Sequence, residues 1–73
     1  MALQAIVDIK GVYRVILEHY PEGVYVLIFE SPDSQYPYKD YLQLDWDMAK
    51  RACFQDFGIS DEMWHEVPDT GLM

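Results

Sequence analysis

Residues 24–30 place large apolar side chains on both faces of an extended chain. Val24, Val26 and Ile28 fall on one side, and Tyr25, Leu27 and Phe29 on the other. A strand apolar on both faces is a central strand. Residues 12–19 alternate differently. Tyr13, Val15 and Leu17 share one face, while Val12, Arg14, Ile16 and Glu18 share a more polar one. Pro21, Glu22 and Gly23 lie between the two runs. Proline presets φ and glycine supplies positive φ, so this junction predicts a tight hairpin. Residues 5–9 admit two readings: an extension of the first strand with Gly11 as a bulge, or a separate short strand. Residues 31–37 have loop composition, and residues 38–43 predict a third strand. Lys39 and Asp40 suit an edge.

The pattern then changes period. Trp46, Ala49, Cys53 and Phe57 recur at the spacing of one helical face, with Phe54 widening it. Asp45 is placed as N-cap, Asp47 sits in the first turn where the helix dipole favours an acid, and Gly58 ends the helix. Ser60, Asp61 and Glu62 start a single helical or 3₁₀ turn before Met63 and Trp64. Residues 65–67 predict a short last strand, ended by Pro68.

Together these elements predict an α+β fold. It is a small, mostly antiparallel sheet of three to four strands, in the order β-β-β-α-β, with one helix on one face. Residues 1–68 form the single domain and residues 69–73 read as a flexible tail. The second sheet face then has apolar residues and nothing in the chain to cover them, which points to a partner or a second copy.

Composition agrees with a folded domain: 51% of the 73 residues are hydrophobic and 15% aromatic. Charge narrows the partners. The net charge is −8, and no basic run exceeds two residues, which argues against nucleic acid and against an anionic membrane surface. Eight of the thirteen acids follow residue 39, so any electrostatic face belongs to the second half. Cys53 is the only cysteine, and the first ten residues do not resemble a signal peptide. The expected location is cytoplasmic.

Motifs for nucleotide, zinc-protease and nucleophile-elbow chemistry are absent. His19, Cys53 and His65 are the only soft-metal candidates, and their spacing matches no standard site. Cys53 falls in the second half of its helix, where the dipole disfavours a thiolate. Asp45 and Asp47 are explained by capping and the dipole. No catalytic, cofactor-binding or metal residues are therefore assigned, and no cofactor is expected.

Aromatic residues with polar tips favour interfaces. Tyr36, Tyr38 and Tyr41 cluster in and after the proline-containing loop, and Trp64 follows the second start signal. With Asp45, Asp47, Asp61 and Glu62 they are the interaction candidates. The expected function is a small non-enzymatic protein-interaction module, with self-association as one mode. An acidic inhibitor of immunity or nucleic-acid-mimic type is the alternative, provided the acids share a face. A small metal protein or enzyme is the third, provided His19, Cys53 and His65 converge.

Overall fold

A computed structural model describes all residues 1–73. Five strands form one antiparallel sheet: β1 (Ala2–Ile9), β2 (Val12–Tyr20), β3 (Gly23–Phe29), β4 (Lys39–Gln43) and β5 (His65–Val67). The strand order is β4-β3-β2-β1-β5. Between β4 and β5 run the helix α1 (Trp46–Phe57) and a 3₁₀ turn (Asp61–Met63). The fold is α+β as the pattern predicts, with one strand more. Residues 5–9 belong to a separate strand, which starts at Ala2 and pairs with β2 from Ala2↔Glu18 to Ile9↔Val12. Gly11 takes φ 84° in the turn between them.

The doubly apolar run is central. β3 lies between β2 and β4, and Val24, Val26, Leu27, Ile28 and Phe29 are all buried. The β2–β3 hairpin closes with Tyr20 opposite Gly23, leaving Pro21 and Glu22 as its loop. Gly23 is needed for two reasons. Its φ is 148°, and a Cβ there would run into the carbonyl oxygen of Gln43 on β4.

One face holds the larger core. Ala5, Val7, Val15, Leu17, Val24, Val26 and Ile28 pack against Ala49 and Cys53 of α1 and against Ile59. Leu3, Trp46, Phe57, Met63 and Trp64 fill its margins. The helix begins where the capping chemistry puts it. Asp45 accepts a 2.9 Å hydrogen bond from the Met48 amide. It ends at Gly58, whose φ of 68° is left-handed and whose amide donates to the Phe54 carbonyl. Phe54 departs from its expected place. It is 61% exposed, because it stands more than a quarter of a turn round the helix from Cys53, on the flank that faces the outer groove with Lys50 and Arg51.

The second face departs more. Ala2, Ile16, Leu27 and Phe29 form a smaller buried cluster, with Tyr25, Val67 and Leu72 against it. The apolar residues read as uncovered are thus covered in part by the chain's own C-terminal end. Residues 70–73, read from the sequence as a flexible tail, lie over this face. The physical reason is Glu18, a carboxylate only 2% exposed. A buried charge needs donors. Thr70 gives two, its amide at 2.9 Å and its hydroxyl at 2.6 Å, both to Oε1. The Gly71 amide at 3.0 Å and the Tyr20 hydroxyl at 2.6 Å take Oε2. Burial pushes the Glu18 carboxyl up, but these four bonds outweigh it and leave it below its ordinary value. Asp69 adds a 2.8 Å ion pair to the Met1 amine.

Candidate functional site

β4 is an outer strand, so one row of its backbone N–H and C=O groups has no neighbour. The chain reaches it through the loop of residues 30–38, anchored on return by the Tyr38 amide, which donates to the Ile28 carbonyl at 3.0 Å. Around this edge the side chains are large and open to solvent. Tyr36 and Leu44 are 71% and 78% exposed, and Tyr38, Tyr41 and Leu42 about half. Leu44 is held outward because it falls between the end of β4 and the N-cap Asp45, where neither sheet nor helix can cover it. The Lys39 ammonium stands 5.9 Å from the Tyr41 ring centroid. Residues 36–44 carry one base, Lys39, and one acid, Asp40, so this patch is neutral in a chain of net charge −8.

A second surface lies on the other side of the helix. The outer face of α1 and the 3₁₀ turn enclose a groove of about 510 Å³, lined by Asp47, Lys50, Arg51, Phe54, Asp61 and Glu62 among others. Its charges are mixed. Arg51 bonds Asp47 at 3.4 Å across one helical turn, an exposed pair of little energetic weight. The Glu62 backbone N–H and the Ser60 hydroxyl hold the Glu62 carboxyl below its ordinary value.

The eight candidates of the sequence therefore divide. Tyr36, Tyr38 and Tyr41 lie in or just before β4, Tyr41 on the helix face, with Asp45 just beyond Leu44. Asp47, Asp61 and Glu62 line the groove. Trp64 joins neither set: it packs at the margin of the larger core, and its indole Nε1 is buried without an acceptor. Leu42 and Leu44 complete the edge patch and were not singled out by composition. The available signal was position, since Leu44 directly precedes an N-cap and belongs to no element.

The acids of the second half do not share a face. Asp40 pairs with Leu27 at one edge and lies on the second face, while Glu66 pairs with Leu3 at the opposite edge and lies on the helix face. Asp69 is tied to the amino terminus. The soft-metal candidates also stay apart. His19 is on the helix face and stacks on Trp46 with centroids 6.0 Å apart, whereas His65 pairs with Gln4 on the second face. No group of three or more His, Cys, Asp or Glu side chains is placed to hold a metal ion. Cys53 is 1% exposed, and burial, reinforced by Asp56, pushes its thiol up to about 12.

No helix is long and apolar enough to cross a membrane. The chain matches no family model, no curated protein and no solved structure.

Proposed function

We propose that this chain is a non-enzymatic, cytoplasmic protein-interaction module that pairs with a second copy of itself along the β4 edge. The observation that carries the reading is the exposed, neutral patch of Tyr36, Tyr38, Tyr41, Leu42 and Leu44 beside an unpaired strand. Edge strands pair by main-chain hydrogen bonds, and aromatic or aliphatic neighbours supply the buried area. An antiparallel strand can pair with its own copy about a two-fold axis, and such an interface uses one patch twice. Charge favours a like copy here. Two chains of net charge −8 repel through most of their surfaces, and the neutral β4 patch adds nothing to that repulsion. A stable interface buries about 800 Å² per partner, roughly a sixth of the 4682 Å² surface.

The non-enzymatic part rests on the site chemistry. The one thiol is buried and shifted away from ionisation, and His19 is stacked on Trp46 instead of facing it. The acidic-inhibitor reading stands second: Asp47, Asp61 and Glu62 line one groove, but Asp40 and Asp69 lie away from it. Light scattering during gel filtration tests the proposal. Wild type should run at twice the 8.6 kDa chain mass, and Leu44→Lys should run at the single mass with an unchanged circular dichroism spectrum. A monodisperse wild-type monomer at about 1 mM, a concentration that still captures a weak dimer of about 4 kcal/mol, refutes it.

A further inference from the structure

We propose that Arg14 and the second sheet face form a binding site for a small carboxylate with a compact apolar body. The chain has thirteen acids and only five bases, yet the Arg14 guanidinium has no carboxylate beside it. The two ion pairs are Met1 with Asp69 and Arg51 with Asp47. Glu18 lies four residues along the same strand, roughly 13 Å away at the rise of an extended chain. Its oxygens are also filled by four other donors.

The guanidinium is nevertheless held in place. Its carbon sits 4.3 Å from the Phe29 ring centroid, and one Nη donates to the Ser34 carbonyl at 3.1 Å. Stacking occupies a face of the guanidinium and leaves the in-plane N–H groups for acceptors. Nε is the exception in the sheet's polar bookkeeping: it is buried and has no partner. An unsatisfied, charged donor out of water is costly, and a carboxylate is the acceptor whose geometry matches a guanidinium edge.

Arg14 lines a cavity of about 270 Å³. Ile16, Phe29, Val67 and Leu72 give it apolar walls, and Gln4 and Gln35 add amides at the polar end. An apolar cavity of about 150 Å³ accepts benzene. The space here therefore accepts a ring or branched alkyl group with a carboxylate attached. The lining is mixed: Thr70 joins Arg14, Gln4 and Gln35 on the polar side, so apolar walls stand beside the polar groups that orient a small ligand. This site is independent of the β4 edge, and either can exist without the other.

Proton–nitrogen correlation NMR on the intact chain tests the proposal, with benzoate and 3-methylbutanoate as probes and benzamide as the uncharged control. The expected result is saturable shifts for at least one acid, centred on the Arg14 Nε–H and on the amides of Val67 and Leu72. A small ligand making one ionic contact should saturate with Kd of about 1 mM. Benzamide should bind at least tenfold more weakly, and Arg14→Gln should weaken the acids by the same factor. Equal shifts from benzoate and benzamide overturn the proposal on wild type alone, whether or not the Arg14 variant folds. So does the absence of saturation by both acids up to about 20 mM.

Discussion

Replacing Thr70 with valine removes one donor from Glu18 and changes almost no volume. The hydroxyl lost is the 2.6 Å donor to Oε1 and also the acceptor of a long 3.2 Å bond from the Leu72 amide, while the Thr70 amide remains on Oε1 at 2.9 Å. A hydrogen bond to a charged group contributes about 1.5–3 kcal/mol net. The remaining amide keeps Oε1 from being fully orphaned, so the lower part of that range applies, about 1.5–2 kcal/mol. In a domain of this size that lowers Tm by about 10 °C. Urea unfolding at neutral pH, followed by tryptophan fluorescence, should show the loss with an unchanged m-value. The pH dependence separates this bond from simple packing. The Glu18 carboxyl is held below its ordinary value of 4.5 in the folded chain. Its stabilising contribution is complete above the unfolded value and fades as pH falls through the folded one. The gap between wild type and Thr70→Val should therefore be full at pH 7 and narrow toward pH 3. A variant as stable as wild type at pH 7, or a gap of the same size at pH 3, refutes the reasoning that residues 70–73 are held by this carboxylate.

Two other outcomes follow from the packing. Gly23→Ala should cost about 2–4 kcal/mol in the same urea assay, since it combines backbone strain with a collision against the Gln43 carbonyl. Gly11→Ala, at φ 84° with open space around it, should lose only the strain part, and equal losses at both positions would remove the close-approach argument. Cys53 should resist thiol reagents in the native chain at pH 8. Burial, with Asp56, raises its value from 9.0 to about 12 and leaves about a thousandth of the usual thiolate, and full reactivity should return only in denaturant.

The sequence by itself determined the local elements. Period-two alternation, the turn at Pro21, Glu22 and Gly23, the Asp45 cap and the Gly58 stop are effects of neighbouring residues, and each element lies where those effects put it to within a residue or two. The central place of β3 was legible too, because burial on both faces leaves a doubly apolar run. Tertiary structure decided what depends on distant partners. Whether residues 2–9 were a strand of their own turned on pairing with both β2, which ends at Tyr20, and β5, which begins only at His65. Phe54 sits at the margin of the apolar helix face, and only the way α1 lies on the sheet decided that this margin faces the outer groove. The end of the chain is the clearest case. Thr70, Gly71 and Leu72 have no local reason to be ordered, and composition reads them as a tail. They lie on the second face because a buried Glu18, some fifty residues earlier, requires more donors than Tyr20 on its own strand supplies. The same logic separates the candidate surfaces: the tyrosines and the edge character of β4 were visible in the sequence, but only the tertiary structure left Arg14 without an acid.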